Sequence, residues 1–314
     1  MSFSNNDTIK KLEQLLPKSI NNQQVPKDVL FIIDEYIPKL NDKNIRQVVK
    51  DYLTRNENLK QQVINNYGPI SNWNVSNVTN MSKLFQELQE QSEQSDFNED
   101  ISNWNVSNVT NMKLMFGYAQ TFNQPLNNWN VSNVTNMSYM FWNAQSFNQP
   151  LNNWNVSKVE HMDHMFWNAK SFNQPLNNWN VSNVKDMIRM FRYAQTFNQP
   201  LNDWDVSNVT YMRSMFGDAN AFNQPLNNWN VSNVTTMTCM FEDAYAFNQP
   251  LNDWNVSNVT YMSGMFACAM IFNQPLNNWN VSNVRDIKTI FYGAKNFNIQ
   301  KNAPWYVESD DESD

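Results

Sequence analysis

Residues 147–171 read FNQPLNNWNVSKVEHMDHMFWNAKS, and copies of this unit follow one another along most of the 314-residue chain. Tryptophan marks a period of 25 residues, at Trp104, Trp129, Trp154, Trp179, Trp204, Trp229, Trp254 and Trp279. Trp73 lies 31 residues before Trp104, so the first unit carries six extra residues, and Trp305 marks a degenerate closing turn. A fixed internal period of this length is typical of solenoids.

Two shorter periods coexist inside the unit. Trp154 and Val156 alternate as in a half-buried strand. Apolar residues then follow at spacings of three, three, one and three, which predicts a short helix through Val159, Met162, Met165, Phe166 and Ala169. Ser157 precedes this stripe at the position of a helix N-cap. Each turn is therefore predicted to hold one short strand and one short helix or helical turn.

The turns must stack, because a single unit buries too little apolar surface to offset the entropy of ordering 25 residues. Parallel strands about 4.8 Å apart would place equivalent side chains above one another. We expect a ladder of stacked amides along Asn152, Asn177, Asn202, Asn227 and Asn252. The chain has only 5 glycines, so asparagine is also expected at turn positions that need a positive φ.

The unit W-N-V-S-N-V-T-x-M-x-x-M-F-x-x-A-x-x-F-N-Q-P-L-N-N runs from Trp129 to Asn153 and returns in later turns. It resembles the BspA-like class of leucine-rich repeats, over roughly residues 67–305. Families with this repeat occur in bacteria, protists and large DNA viruses, and they are described as surface or interaction proteins without catalytic activity. The resemblance implies an α/β repeat solenoid, a right-handed leucine-rich-repeat-like stack, with a binding or scaffold role.

The repeats divide the chain into residues 1–66, residues 67–305 (nine turns and the closing turn) and an acidic tail, residues 306–314. We expect this tail to be disordered. The first segment has helical patterns at Thr8–Leu16, Lys27–Leu40, Asp42–Leu53 and Asn56–Asn65. One interpretation of residues 1–66 is an all-helical cap that shields the open edge of the first turn.

A second interpretation of residues 1–66 is a docking module. The stretch Val25–Ile37 resembles the start of an F-box, which docks on a Skp1-type ubiquitin-ligase adaptor, and Asn44–Leu53 matches its later helix. The resemblance implies adaptor contacts through Pro26, Val29, Leu30, Ile33 and Tyr36. On this interpretation the solenoid would recruit targets to a ubiquitin ligase.

Composition disfavours several classes of protein. The net charge is −7 and no cluster of Lys and Arg occurs, which disfavours nucleic acid and anionic membrane surfaces as partners. No signal peptide or membrane-length apolar stretch is visible, so we expect an intracellular, cytoplasmic protein without membrane insertion. With only two cysteines, Cys239 and Cys268, a disulfide scaffold is not expected.

Catalytic chemistry is not indicated either. Nucleophile-elbow, Walker, dinucleotide and HExxH motifs are absent, so we expect neither an enzyme nor a cofactor. His161 and His164 would share one face of a helix beside Asp163, which suggests either a metal site or a solvated polar face. The equivalent positions in the next two turns are Asp186 and Arg189, then Tyr211 and Ser214, so a metal site would be confined to one turn and the polar face is preferred.

A partner site is sought where the repeat varies. Two columns, beginning at Tyr139 and Trp142, change from turn to turn while the apolar positions hardly change. They predict a protein-binding cluster of Tyr139, Trp142, His164, Trp167, Arg189, Arg192 and Tyr193. The alternatives are an unused surface, or polysaccharide binding through the asparagine-rich face. The sequence allows a monomer or an end-to-end dimer formed through the edge after Trp305.

Overall fold

The structure is a computed structural model that describes residues 38–86 and 97–307. Predictions for the other residues lie outside this part of the chain. These are the helix Thr8–Leu16, most of Lys27–Leu40, the adaptor contacts Pro26, Val29, Leu30, Ile33 and Tyr36, and most of the acidic tail.

Two predicted helices are present before the repeats. Helix α1 spans Ile45–Tyr52, and helix α2 spans Glu57–Tyr67. The Asn56 side chain caps α2 by accepting hydrogen bonds from two backbone N–H groups of its first turn. A 3-10 helix, Ile70–Asn72, then leads into the first turn of the solenoid.

The N-terminal cap is not all-helical, which corrects the prediction. Strand β1, Lys39–Asn41, occupies the place where the predicted helix Lys27–Leu40 should end. It pairs in parallel with strand β2, Asn74–Asn77, in the first turn. Pro38 immediately precedes β1 and has no backbone N–H to donate within a helix, which disfavours a helix at this point.

The stripe predicted as a short helix or helical turn is not an α-helix in the described repeats. Residues 78–86 and 97–298 contain no helix, and the closing turn holds only α3, Ile299–Asn302. The stripe is instead a run of overlapping i→i+3 turns, in which Met140 N–H bonds Met137 O at 3.1 Å and Ala144 N–H bonds Phe141 O at 3.1 Å. The third residues of these two turns, Tyr139 and Asn143, have φ of 59° and 58°. Positive φ at that place is the mark of a type II turn.

Alternate N–H groups of the same stripe leave their own turn and bond the next one. Tyr139 N–H donates to Asp163 O at 2.9 Å, and Phe141 N–H donates to Met165 O at 2.9 Å. Equivalent bonds recur in the other turns, and we call this set the inter-turn ladder. Parallel stacking in register is thus confirmed, with single bridges such as His161↔Asp186. The strand predicted around Trp154 and Val156 is found at the equivalent place in the first turn, as β2, whereas in the later described turns the pairing lies in the segment predicted as helix.

Stacked aromatic side chains fill the centre of the solenoid. Within a turn Phe141 packs on Phe147 with ring centroids 4.1 Å apart, and between turns it lies 5.6 Å from Phe166. Trp154 and Trp179 are parallel to within 1° at 6.4 Å. From Trp154 onwards each repeat tryptophan also donates its indole N–H to a leucine carbonyl of the preceding turn, as Trp154 does to Leu126 at 2.9 Å, whereas Trp104 and Trp129 donate to the carbonyls of Ile70 and Ile101. The tryptophan ring thus both stacks on its neighbours and hydrogen-bonds to the preceding turn, which explains its regular 25-residue period.

Asparagine has different roles from those predicted. Among the described residues with positive φ, only Asn143 and Asn168 are asparagines. Most of the repeated asparagines bond backbone groups through their side chains. Asn155 Oδ1 accepts from Ser157 N–H at 3.2 Å, so Ser157 is not a helix N-cap.

The predicted amide ladder is largely replaced by bonds to the backbone. Asn152 and Asn177 are in amide-to-amide contact at 3.5 Å, but Asn152 Oδ1 accepts from the backbone N–H of Asn178 at 3.0 Å. A more regular column begins at Asn123, whose Oδ1 accepts from Asn148 N–H at 3.0 Å and from Gln149 Nε2 at 3.1 Å. Backbone N–H groups are more numerous than side-chain amides, and most of the asparagine Oδ1 atoms accept hydrogen bonds from them.

Charged side chains close the N-terminal end of the inter-turn ladder. The Asp42 carboxylate accepts from Thr79 N–H at 2.9 Å, Thr79 Oγ1 at 2.6 Å and Asn80 N–H at 3.0 Å. In later turns a carbonyl of the preceding turn fills this role, as Thr110 O does for Thr135 N–H. Arg46 donates to the carbonyl of Ser82. Asp42 and Arg46 therefore make the hydrogen bonds to the first turn that a preceding turn would otherwise make.

Replacing Asp42 by alanine tests this cap. Burial opposes ionisation, but the hydrogen bonds from Thr79 and Asn80 outweigh it and lower the pKa of Asp42. We expect Asp42→Ala to lower the free energy of unfolding by about 1–2 kcal/mol at pH 7. Because the pKa is lowered on folding, this contribution exists above the ordinary pKa and is lost as the pH falls through the folded value. Urea denaturation at pH 7 and pH 3 measures both effects.

Asp51→Ala is the matched control, since Asp51 accepts a hydrogen bond from Gln47 within the same helix. It should change stability by much less than Asp42→Ala. An equal loss from Asp42→Ala at both pH values would contradict the role given to the carboxylate charge.

Candidate interaction surface

The structure brings the predicted cluster together. Tyr139 stacks on His164 with ring centroids 4.1 Å apart, Trp142 stacks on Trp167 at 5.1 Å, and the Arg189 guanidinium lies 5.6 Å from the Trp167 ring centre. These side chains are less exposed than a surface cluster open to solvent would be. His164 is only 7% exposed and the other six are half-buried. Ring stacking between adjacent turns covers faces that the sequence alone would assign to solvent.

A polar network lies under Tyr139. His164 Nδ1 is 3.1 Å from Asp163 Oδ2, and Ser138 Oγ donates to the other oxygen of the same carboxylate. Burial opposes ionisation of Asp163, but these bonds outweigh it and lower its pKa. On the other side of the buried imidazole, Tyr139 Oη and Arg189 Nη1 lie 3.4 and 3.5 Å from His164 Nε2.

The expectation that both histidines share a face is wrong. His161 is exposed and takes part in the bridge to Asp186, whereas His164 is buried. In the turn conformation the two side chains diverge, because His164 has a φ of 58° and a helix would need a negative value. Across residues 38–86 and 97–307, no group of three or more His, Cys, Asp or Glu side chains is placed to hold a metal ion.

A cleft opens beside the two stacked tryptophans. It has a volume of about 400 Å³ and is lined by Tyr118, Trp142, Asn143, Trp167, Asn168 and Tyr193. We call it the aromatic cleft. Its two asparagines bond each other through their side chains, and Tyr118 packs edge-on against Trp142 with centroids 4.4 Å apart. The lining carries no formal charge.

Sequence reasoning missed Tyr118, Asn143 and Asn168. A signal was available, because position 118 and its 25-residue equivalents vary as much as the two chosen columns: Tyr118, Asn143, Asn168, Tyr193, Asp218, Asp243, Cys268 and Gly293. The two asparagines are smaller than the tyrosines on either side of them, so they leave a depression two turns long. This third column supplies four of the six residues that line the cleft.

Arg192 is already engaged within the chain. Its Nη2 lies 3.4 Å from Asp218 and 3.2 Å from Glu242, which is two turns away, and its guanidinium lies 5.0 Å from the Tyr193 ring centre. Gly217 lies beneath this path, where an added Cβ would be 3.6 Å from the Arg192 side chain. Burial raises the pKa of Asp218 despite the nearby guanidinium. Arg192 therefore does not present a free positive charge to a partner. Its paired side chain forms part of the wall of the surface.

The repeats identify the family. Residues 54–174, 149–251 and 226–313 each match the family described as "Mycoplasma protein of unknown function, DUF285". The chain belongs to this family. Three overlapping matches along one chain agree with the tandem turns of the structure, whereas no curated protein matches it. Among the helices in the described part of this family member, none is long and apolar enough to cross a membrane.

Cys239 shares a column with Tyr139 and His164, and its thiol is not in a disulfide. Burial, with the nearby Glu242 carboxylate, raises the pKa of Cys239 to about 11. We expect iodoacetamide at pH 8 to alkylate Cys239 on the order of a hundred-fold more slowly than an ordinary thiol, because the thiolate is the nucleophile. Peptide mass spectrometry over time measures the rate. Unfolding in urea should restore ordinary reactivity, and rapid alkylation of the folded chain would contradict the burial.

Proposed function

We propose that this chain is a non-enzymatic interaction protein whose aromatic cleft binds an uncharged, apolar segment of a protein partner. The observation that supports this most directly is the cleft itself. Tyrosine and tryptophan are the side chains most enriched where protein interfaces concentrate their binding energy. An uncharged lining favours a ligand without formal charge, since a buried unpaired charge would be costly.

The hydrogen-bonding groups of the cleft fit a peptide. The indole N–H groups of Trp142 and Trp167 have no acceptor among the described residues, although every repeat tryptophan of the core has one. Indole N–H groups and aromatic side chains are suited to grip the carbonyls and apolar side chains of an extended segment. The cleft follows the solenoid axis from Tyr118 to Tyr193, three turns apart, a span of about 14 Å that suits four or five extended residues.

The contacts around His164 support a binding role over a catalytic one. Ser138 and His164 both bond the carboxylate of Asp163, so the hydroxyl is not paired with the imidazole as a nucleophile is with its base. His164 is also covered by Tyr139. The arrangement orders the surface instead of activating a nucleophile.

Polysaccharide binding through the asparagine-rich face is the competing proposal. Two observations disfavour it. The repeated amides bond the backbone of their own or adjacent turns, as Asn183 Nδ2 does with Ser157 O at 2.6 Å. Sugar stacking needs an open ring face, but Trp142 covers one side of Trp167 and Arg189 approaches the ring at 5.6 Å.

Recruitment of targets to a ubiquitin ligase is a separate proposal about residues 1–66. It rests on the F-box-like stretch and is independent of the cleft. Capture of a purified Skp1-type adaptor by the full chain, and loss of capture after Leu30→Asp and Ile33→Asp, would support it. No capture by the full chain would leave these residues with a capping role alone.

Selection from a displayed random-peptide library tests the cleft. We expect enriched peptides to be uncharged and rich in aromatic residues or proline, and to bind the variant Trp142→Ala with Trp167→Ala at least ten-fold more weakly. Alanine suits the fold, since Ala267 occupies the equivalent position. Fluorescence anisotropy with each selected peptide measures the affinity.

The matched control removes two exposed aromatic side chains elsewhere. Tyr211→Thr with Tyr261→Thr takes the residue that Thr236 provides at the same position, and both tyrosines are exposed, at 44% and 47%. This control should bind like the unmodified chain. Equal weakening by both double variants, or binding of glycans on an array with no selected peptide, would reject the proposal.

A further inference from the structure

The Arg189 guanidinium has no carboxylate partner in the part of the chain that the structure describes. None of the ion pairs between the described residues includes it. The side chain is half-buried, and its Nε atom is buried without a hydrogen-bond partner among the described residues. Its one polar contact there is long, with Nη1 lying 3.5 Å from His164 Nε2. A guanidinium has five N–H donors, so most of those of Arg189 are unused.

The surroundings of Arg189 make this unpaired charge less favourable. Burial lowers the pKa of Arg189, and the nearby guanidinium groups of Arg213 and Arg192 lower it further. Arg192 differs from Arg189, because it is paired with Asp218 and Glu242. A half-buried cation without a counter-ion is costly, since burial removes water that would otherwise stabilise the charge. A ligand that brings one negative charge would relieve this cost.

Carboxylates of the same surface do not act as that ligand. Asp163 is bonded to His164, with 3.1 Å between Oδ2 and Nδ1. The side chain of Asp186 accepts the backbone N–H of Ile188 at 2.9 Å. Neither carboxylate forms an ion pair with Arg189. The guanidinium is therefore open to a carboxylate from another molecule.

Arg189 lies beside the aromatic cleft, at its Tyr193 end. The guanidinium is 5.6 Å from the ring centre of Trp167, which lines the cleft, whereas Arg189 is not part of the lining. Arg189 and Tyr193 belong to the same 25-residue turn, while Trp167 and Trp142 belong to the two preceding turns. A segment that lies along the cleft would bring a residue just beyond its Tyr193 end close to the guanidinium.

The geometry of a guanidinium determines which anion suits it. Its planar fork of N–H donors matches the two oxygens of a carboxylate, and such charge-assisted hydrogen bonds are stronger than neutral ones. A carboxylate also carries a single negative charge, which balances the single unpaired charge of Arg189. In a peptide this group is supplied by aspartate, by glutamate or by the C-terminus of the chain.

We propose that Arg189 binds a carboxylate of the partner, located just beyond the apolar segment that occupies the aromatic cleft. Its position beside a peptide rests on the proposed function of the cleft, whereas the carboxylate site on Arg189 itself does not. Arg189 is thus a specificity-determining residue, which favours apolar segments flanked by a negative charge over segments flanked by a neutral residue.

A double-mutant cycle tests the proposal. Each peptide selected for the cleft is made with blocked ends and with one added glutamate or one added glutamine at either end. We expect glutamate at one of the two ends to lower the Kd about three- to ten-fold relative to glutamine, as for a partly desolvated ion pair. In the variant Arg189→Ser this advantage should disappear, while binding of the glutamine peptide changes little. Fluorescence anisotropy measures each Kd.

The variant suits the fold, because Ser214 occupies the equivalent position in the next turn. In the unmodified chain the advantage of glutamate should shrink as the salt concentration rises. A peptide that ends in a free C-terminal carboxylate, compared with its amide, distinguishes a terminal carboxylate from a side-chain carboxylate as the natural ligand.

Titration with sodium acetate tests the carboxylate site without the cleft. The Nε–H signal of Arg189 in a proton–nitrogen NMR spectrum is assigned by its loss in Arg189→Ser. We expect acetate to shift this signal in a saturable manner, and sodium chloride at the same ionic strength to shift it much less. The signal of the exposed Arg285 should respond equally to the two salts.

Arg285→Thr is the matched control in the peptide experiment. It removes an exposed arginine elsewhere and installs the residue that Thr260 provides at the equivalent position, so it should keep the advantage of glutamate. Equal affinity for both peptides in the unmodified chain, or the same advantage in Arg189→Ser, would overturn the proposal and leave the function of the cleft intact. If no peptide is selected but acetate shifts the Arg189 signal, the proposed function fails and the carboxylate site stands.

Discussion

The backbone hydrogen bond from one turn to the next is the constraint on which the structure depends. Alternate N–H groups of each turn stripe reach a carbonyl in the following turn, while the intervening ones close i→i+3 turns within their own unit. This double pattern fixes the register, so residues 25 apart lie above one another. Identical rings can then stack face to face, and each core tryptophan from Trp104 onwards reaches an isoleucine or leucine carbonyl one turn back.

The same hydrogen bonds explain why bulky residues accept an unfavourable backbone. Leu114, Tyr139, His164 and Arg189 all have positive φ, a conformation that costs such side chains roughly 1–2 kcal/mol each. The i→i+3 turns form only with a positive φ at these positions, and the hydrogen bonds of the inter-turn ladder compensate for its energetic cost. Side-chain identity at these positions is set weakly by the backbone, because residues from glycine to arginine occupy the column. Variation between turns can therefore serve recognition without disturbing the core.

Some features of the fold were readable in the sequence, and others were not. The spacing of tryptophan predicted the turns, their stacking and their register. Spacings of three and four are shared by a helix and by tandem type II turns, so the pattern of Val159, Met162 and Met165 did not reveal where their N–H groups bond. The short strand β1 was missed because three residues carry little periodicity. For the candidate site, the columns that begin at Tyr139 and Trp142 predicted which side chains meet. The cleft was not predicted, because it also depends on a third column, in which asparagines lie between tyrosines.

Because of Arg192, the effect of adding or removing one repeat depends on where in the array the change occurs. Most neighbouring turns meet through near-identical surfaces, so loss or duplication of one 25-residue unit rejoins two surfaces that already fit. Arg192 is different, because it crosses the turn of Gly217 to reach Glu242 and so holds three consecutive turns in a fixed order. Loss of a repeat inside this segment would remove Arg192 or one of its two carboxylate partners, whereas elsewhere it would rejoin turns of similar sequence.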